Sequence, residues 1–226
     1  NSDIFIQKLD ASGNFLWVKS FGSTGTDYGK SIAVDASGNV YTTGSFFGTV
    51  DFDPGAGTFN LRSAGGHDVF VQKLDASGNF LWAKAFGGGN NYDDYGLSIA
   101  VDTSGNVYTT GSFYLTVDFD PEAGTFNLTS VGGRDIFIQK LDASGNFIWA
   151  RSFGGNEFDQ GNSISIDASG QGIYTTGVFN GIADFDPGVG TANLTSVGNQ
   201  DVFVQKISQV VTRIGDTGNG IQLKAP

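Results

Sequence analysis

The sequence comprises 226 residues with 12 Lys and Arg against 23 Asp and Glu, giving a net charge of −11 and an isoelectric point near 4.2. A chain this acidic repels phosphate backbones, and no basic stripe with aromatic partners offsets the repulsion, which argues against nucleic-acid binding. The absence of Cys excludes disulfides, thiol catalysis and cysteine-bound zinc. No apolar run approaches the ~18 residues of a membrane-spanning helix. Because the chain starts at Asn1 and contains no Met, we interpret it as a mature or excised piece.

The first predicted element is a β-hairpin over residues 3–22. The runs "DIFIQKL" and "FLWVK" are rich in β-branched and aromatic residues, which favour strands. Between them, "DASGN" at residues 10–14 has turn chemistry, because Asp bonds its own backbone, Gly supplies positive φ and Asn tolerates that region. This five-residue motif or a close variant recurs at residues 35–39, 75–79, 102–106, 142–146 and 167–171. Six copies predict six hairpin corners rather than a catalytic group.

The hairpin belongs to a longer repeat. Asp3, Asp68, Asp135 and Asp201 each open the motif "D-[IV]-F-[IV]-Q-K", at spacings of 65, 67 and 66 residues. A fixed period indicates a repeat architecture, and four strands per period are typical of a β-propeller blade. The period exceeds the usual ~40–50 residues of a blade. We assign the excess, residues 49–61 in the first copy, to an excursion between strands B and C. The predicted fold is therefore all-β, a propeller-like array of four-stranded antiparallel blades.

The blades follow in chain order. The repeat array covers residues 1–208, with a C–D hairpin at 3–22, blades at 31–87 and 98–154, and a partial blade at 163–208. In the first blade, strands A to D are predicted at residues 31–35, 39–44, 68–74 and 80–86. Ser31 and Ala33 on one face of strand A let a neighbouring sheet approach closely, and Trp17, Trp82 and Trp149 are assigned to packing between blades. Residues 209–226 leave the pattern as a divergent C-terminal segment.

No residue pattern indicates an enzyme. His67 is the sole histidine, and its counterparts in the repeat are Arg134 and Gln200, so we expect a solvent-exposed position rather than a catalytic or metal-binding one. No nucleophile elbow, phosphate loop or His-rich metal spacing is present. The chain is predicted to be non-catalytic.

Paired carboxylates in the excursion are the candidate metal ligands. Two residues apart in an extended segment, they face the same way, and calcium prefers six to eight oxygen ligands. The six residues are Asp51, Asp53, Asp118, Asp120, Asp184 and Asp186. The alternative is structural, because Asp-Pro-Gly suits the first three positions of a β-turn. Calcium is thus a possible cofactor, and a turn alone stays open.

The Gly-rich loops are the strongly divergent part of the repeat, at residues 22–29, 87–96 and 154–161. Variation on one side of a uniform scaffold is where a repeat array presents its binding surface. The candidate ligand-binding residues in these loops are Asp27, Tyr28, Asp93, Asp94, Tyr95, Glu157 and Asp159.

Three longer segments carry a family resemblance. "DYGKSIAVDASGNVYTTGSF" at residues 27–46, "DYGLSIAVDTSGNVYTTGSF" at 94–113 and a drifted copy at 158–179 resemble the SBBP-type β-propeller repeats of secreted and cell-surface bacterial proteins. The resemblance implies a scaffold without common catalytic residues and a location outside the cell. A fold hosts many functions, so it does not by itself assign an activity.

Two functions compete at this point. The first is an extracellular structural or adhesive module that acts through surface contact or self-association, as a ring or a head-to-tail filament, or as part of a longer chain. The second is calcium-assisted, lectin-like binding of carbohydrate or protein by the Gly-rich loops. The array favours the first, because it opens with an orphan C–D hairpin and ends without strand D, leaving blade faces without a neighbour.

Overall fold

The computed structural model describes residues 2–89 and 91–209. Within them the chain forms seventeen β-strands and no helix. In chain order the strands are β1 (Ile4–Leu9), β2 (Phe15–Phe21), β3 (Tyr28–Val34), β4 (Val40–Phe46), β5 (Thr49–Asp51), β6 (Asn60–Arg62), β7 (Asp68–Leu74), β8 (Phe80–Phe86), β9 (Tyr95–Val101), β10 (Val107–Asp118), β11 (Asn127–Leu141), β12 (Phe147–Gly155), β13 (Gln160–Ile166), β14 (Gly172–Phe179), β15 (Ile182–Asp184), β16 (Asn193–Thr195) and β17 (Asp201–Ser208). The predicted all-β class is confirmed.

The strands form antiparallel blades. The first complete blade has the order β3-β4-β7-β8, and the second has the order β9-β10-β11-β12. The opening hairpin β1-β2 supplies strands C and D alone, and the last sheet, β13-β14-β17, supplies A, B and C. Predicted strands C and D of the first blade coincide with β7 and β8, whereas strand A begins earlier, at Tyr28, and strand B continues to Phe46. The division at residue 208 stays a prediction, and residues 210–226 lie outside the described part of the chain.

The excursion between strands B and C is a small hairpin of its own. In the first blade it is a separate pair of strands, β5 and β6. In the second blade the end of β10 and the start of β11 form it. At the point where it leaves strand B, Gly48 has φ of 77° and Gly181 has φ of 62°. Leu115 occupies the same place in the second copy with φ of 61°, the single non-Gly residue with positive φ among those described.

The hairpin corners have the predicted construction. Oδ1 of Asp10 accepts hydrogen bonds from the N–H groups of Ser12 and Asn14, both at 2.8 Å. Gly13 takes φ of 82°, the left-handed region that favours glycine. The acceptor Asp is repeated at all six corners, as Asp35, Asp75, Asp102, Asp142 and Asp167. The motif "DASGN" therefore forms a turn, as the chemistry of its residues indicates.

The hydrophobic core lies between consecutive blades. One cluster joins Val69 and Val71 of the first blade to Ile99 of the second, and two equivalent clusters lie before and after it. Strand A is the contact strand, since Oγ of Ser31 accepts a hydrogen bond at 3.3 Å from the N–H of Ile99 in the next strand A. The small face predicted for strand A thus touches its neighbour.

The tryptophans hold successive blades together, as predicted. Nε1 of Trp17 lies 3.4 Å from the carbonyl oxygen of Ala76, and Nε1 of Trp82 lies 3.3 Å from that of Ala143, each in the hairpin corner of the next blade. Lys8 reinforces the first contact by donating to Ala76 at 2.7 Å.

Candidate functional site

The described Gly-rich loops lie next to the links that lead into strand C. His67 is in one such link and connects two loops, because its Nδ1 lies 2.9 Å from Oδ1 of Asp93 and its Nε2 lies 2.9 Å from the carbonyl oxygen of Thr26. The rings of Tyr28 and Phe47 flank the imidazole, each with its centroid 5.7 Å away. The expectation of a solvent-exposed His67 is wrong, since its contacts leave the side chain only 21% exposed.

A second polar chain continues from Asp93. Its Oδ2 accepts a hydrogen bond from the hydroxyl of Tyr95 at 2.9 Å, and the guanidinium of Arg134 lies 4.7 Å over the Tyr95 ring. Burial alone would raise the pKa of Asp93, but hydrogen bonds from His67 and Tyr95 outweigh it, and the pKa lies below its usual range. Asp93 is therefore a stable anion at neutral pH.

A cavity of about 380 Å³ opens beside His67. Its lining includes Thr26, Phe47, Gly66, His67, Asn91 and Asp93. Tyr28, Phe47 and Tyr92 are exposed aromatic residues of the same loop region. The structure thus brings together Tyr28, Asp93 and Tyr95 from the set of predicted ligand-binding residues.

The other loop aspartates of that set are internal. Asp27, Asp94 and Asp159 are buried, and each carboxylate accepts two backbone N–H groups. Asp94, for example, accepts from Gly88 at 2.9 Å and from Tyr114 at 3.0 Å. These residues anchor the loop to the end of strand B. A role in ligand contact stays a prediction for them and for Glu157, which is exposed.

Asp94 and Asp159 each have a second carboxylate beside them. Asp68 and Asp135, the residues that open strand C, are only 3% exposed, and Oδ1 of each is buried without a hydrogen-bond partner. Burial, with a contribution from the neighbouring carboxylate, raises the pKa of both groups to about 7. Burial also raises the pKa of Asp94 to about 6. Sequence reasoning missed these groups, although an Asp at the start of every repeat was the available signal.

The candidate metal ligands form turns. Oδ1 of Asp51 accepts from the N–H of Asp53 at 3.0 Å and from that of Phe59 at 2.8 Å, and Oδ1 of Asp53 accepts from Gly55 at 2.8 Å. Both later copies repeat these bonds, through Asp118 and Asp120 and through Asp184 and Asp186. Within residues 2–89 and 91–209, no three His, Cys, Asp or Glu side chains are grouped to hold a metal ion. Calcium binding stays a prediction.

The two ends of the array show what each blade needs from its neighbour. Val202 and Val204 in β17 are 78% and 79% exposed, whereas Val69 and Val71 at the same repeat positions are fully buried against the second blade. At the other end Phe5 is 71% exposed. Beside β17, a cavity of about 720 Å³ is lined by residues that include Trp149, Asp186, Val189, Ile207 and Gln209.

Comparisons with known proteins agree with this architecture. Residues 16–45 and 81–112 match a family model described as "SBBP: Beta-propeller repeat". These two segments are SBBP β-propeller repeats. Each matched segment begins in strand D of one blade and ends in strand B of the next. An SBBP repeat therefore includes the Gly-rich loop and strand A, the parts through which one blade contacts another.

Two curated relatives resemble the chain over much of its length. It is 26% identical over 249 residues to "Uncharacterized WD repeat-containing protein L264" of Acanthamoeba polyphaga mimivirus, a match covering 94% of this chain. It is 27% identical over 172 residues to "Regulatory protein FlaEY" of Caulobacter vibrioides, covering 74% of this chain. The match spans 17% of the length of each relative. No helix in the described residues is long and apolar enough to cross a membrane.

Proposed function

We propose that this chain is a non-catalytic interaction module that binds a second copy of itself end to end. The observation that carries the proposal is the exposure of Val202 and Val204, because the chain buries the equivalent residues at its three internal junctions. Exposed apolar faces of this kind mark interaction sites. The propeller repeats and the WD-repeat relative support a scaffold rather than an enzyme.

The two ends carry matching halves of one blade. Strand β17 and strand β1 are both copies of strand C, and Phe203 in β17 is buried whereas Phe5 in β1 is exposed. If β1 of a second copy pairs with β14 in place of β17, the blade gains strand D, because β2 remains paired to β1. The exchange replaces like with like, the low-cost route to association known from domain swapping. The contact is heterologous, so it closes into a ring or extends as a filament.

Sedimentation tests the association. We expect the wild-type chain to associate at micromolar concentration, and Phe5→Asp to be monomeric because a charge would then occupy the place of Phe203, which is buried in the same blade. Ile148→Asp is the matched control, since Leu16, Leu81 and Ile148 are exposed at equivalent positions in strand D and belong to no junction. A wild-type chain that sediments as a monomer would refute self-association, and the open faces would then belong to further blades of one polypeptide.

Cross-linking tests the geometry. Introduced cysteines can pair only with each other, because the chain has no native Cys. Val178 pairs with Val202 within a copy, and Ile4 takes the place of Val202 when a second copy supplies β1. Paired antiparallel residues have Cα atoms about 4.5–5.5 Å apart, within the range of a disulfide. Ile4→Cys/Val178→Cys should form intermolecular disulfides, whereas Val178→Cys/Val202→Cys should form intramolecular ones. Association without the intermolecular bond would contradict the end-to-end arrangement.

A location outside the cell is part of the proposal. It is supported by the resemblance of residues 27–46 and 94–113 to repeats of secreted and cell-surface bacterial proteins. Fractionation of the native host tests it, with recovery in the cytoplasm alone as the contrary result.

A second candidate function has one specific observation in its favour. The cavity beside His67 combines an exposed aromatic ring, Phe47, with the carboxylate of Asp93, the combination by which proteins stack on and hydrogen-bond a sugar or peptide. Calcium-assisted, lectin-like binding would use this loop region. A glycan array with wild type and Phe47→Ala, with and without chelator, tests it. Binding that survives the chelator removes calcium from this candidate, and no binding at all removes the candidate.

A further inference from the structure

Two carboxyl groups meet at the junction between the first and second blades and at the junction between the second blade and the last sheet, hereafter the first and second junctions. One comes from the residue that opens strand C and the other from the Gly-rich loop that follows strand D. At the second junction, Oδ1 of Asp135 and Oδ2 of Asp159 lie 2.7 and 2.8 Å from a single point, the position that a Cβ atom on Gly154 would occupy. At the first junction Asp68 lies beside the corresponding Gly87, and Asp94 is near enough to raise the pKa of Asp68. A glycine between the carboxyl groups leaves the space in which they approach.

In each pair, one carboxylate oxygen has no hydrogen-bond partner. At the second junction Oδ2 of Asp135 accepts from Val131 at 3.0 Å, and the two oxygens of Asp159 accept from Gly155 at 2.7 Å and Asn180 at 3.1 Å. Oδ1 of Asp135 is buried and has no partner. The first junction repeats this arrangement, with three oxygens bonded to backbone N–H groups and Oδ1 of Asp68 left over. A buried, unpaired carboxylate oxygen beside a second carboxylate is costly.

We propose that each pair shares one proton, so that Asp68 with Asp94 and Asp135 with Asp159 act as acid-strengthened joints between successive blades. The proton lies on the leftover Oδ1, which then donates to the loop carboxylate and satisfies both groups. A proton suits the site better than a metal ion because it needs only one donor and one acceptor. Calcium takes six to eight oxygens, and three of the four present already face N–H groups.

The surrounding charges differ between the two joints. Asp68 faces His67 as well as Asp94, and Asp94 also faces Arg134 and Asp93. At the second joint Asp135 faces Asp159, which itself faces Glu157. The first pair thus has the Arg134 guanidinium and the His67 imidazole nearby, whereas the second pair has only a further carboxylate, Glu157. The second joint should therefore depend more strongly on the shared proton.

The direction of the pH effect follows from proton linkage. The pKa of Asp135 is raised to about 7 in the folded chain from 3.8. Between these values the folded state holds a proton that the unfolded state has released, so stability declines as pH rises from about 4 through about 7. The hairpin aspartates act oppositely, since hydrogen bonds lower the pKa of Asp142, for instance, despite its slight burial. Only the difference between wild type and a variant isolates the joint.

Asp135→Asn is the test variant, because the amide copies a protonated carboxyl group at every pH. The ratio of the unfolding equilibrium constants of wild type and variant should change by up to about tenfold per pH unit between pH 4 and 7. Asp3→Asn is the matched control, since Asp3 also opens strand C but is exposed. Denaturant titrations from pH 4 to 9 measure the ratio. Parallel profiles for wild type and Asp135→Asn would overturn the proposal.

Infrared spectroscopy of the wild-type chain provides a readout that does not depend on a variant folding. At pH 6 we expect the carbonyl band of a protonated, buried carboxyl group, and we expect it to vanish as pH rises above 8. Absence of the band at pH 6 would overturn the shared proton. The same titrations with calcium, sodium and chelator distinguish a bound proton from a bound metal ion. A stability that follows metal concentration instead of pH would assign the pairs to metal binding.

Discussion

The junction between the first two blades and the two ends of the chain contain the same motif in opposite environments. Phe70 and Val71 in β7 are fully buried, whereas Phe5 in β1 is 71% exposed and Val204 in β17 is 79% exposed. The residues around them are nearly identical, since each strand has the pattern "D-[IV]-F-[IV]-Q-K". Burial in this fold is therefore decided by the neighbouring blade. This is the behaviour of a repeat array, in which stability accumulates at interfaces between adjacent units.

The largest expected effect that tests this comparison is at the phenylalanine of strand C. Phe70 packs against Phe21, Phe46 and Phe52 in one cluster, and its ring lies 5.2 Å from that of Phe52. Phe70→Ala should lower the free energy of unfolding by about 3–5 kcal/mol, the usual cost of deleting a buried aromatic ring. Phe5→Ala should change it by less than about 0.5 kcal/mol, as for an exposed position.

Denaturant titrations at low protein concentration, where copies are separate, measure both values. Equal losses for Phe70→Ala and Phe5→Ala would break the comparison, because the end hairpin would then have a core of its own. At high concentration the Phe5→Ala effect should grow if a second copy covers β1.

A smaller effect is expected at the glycine of the hairpin corner. Gly13 and Gly78 have φ of 82° and 79°, yet a Cβ on Gly13 would meet nothing within 4 Å and one on Gly78 would lie 3.1 Å from the Trp17 ring. Gly13→Val should cost roughly 1–2 kcal/mol from backbone strain alone. Gly78→Val should cost about 1–3 kcal/mol more, because the side chain also overpacks the indole.

Thermal and denaturant unfolding of the two variants gives the difference. If Gly13→Val proves as damaging as Gly78→Val, the corner of the first hairpin is covered in solution. That result would itself favour a partner at the N-terminal end.

Much of this fold could be predicted because its signals are local. Alternating apolar residues placed strands C and D at residues 68–74 and 80–86, and the chemistry of Asp, Gly and Asn located the corners. Strand A was predicted to begin at residue 31 but begins at Tyr28. The register shift between Gly29 and Ser31 explains the error, because a bulge interrupts the alternation there.

The site could be predicted only in part because its contacts cross between repeats. His67 was expected to be exposed since its counterparts differ in type, but it reaches Thr26 and Asp93 from loops of two repeats. The Asp68 and Asp94 pair was missed for the same reason, since 26 residues separate two groups that meet only after the blades pack. The spacing of residues within one repeat does not indicate a pair that forms between two repeats.

The smallest expected effect has the opposite sign. Leu115 adopts φ of 61° where the other copies have Gly48 and Gly181, and the second excursion is continuous with strands β10 and β11. A β-carbon in the left-handed region costs roughly 1–2 kcal/mol. Glycine relieves that strain but gives up about 0.5–1 kcal/mol through the greater freedom of the unfolded chain. Leu115→Gly should therefore raise the free energy of unfolding by about 0.5–1 kcal/mol.

Comparison with Leu115→Ala separates the effect of backbone strain from that of the leucine side chain, because alanine shortens the side chain but keeps the β-carbon. Because Leu115 is exposed, losing its side chain forfeits little buried area, and the alanine variant should stay close to wild type. The glycine variant should be the more stable of the two, and Gly48→Ala in the first blade should lose about 1 kcal/mol. If glycine and alanine at position 115 gave equal stabilities, the backbone strain would be absent. The difference between the second blade and its neighbours would then come from the leucine side chain, which would have to be packed in solution.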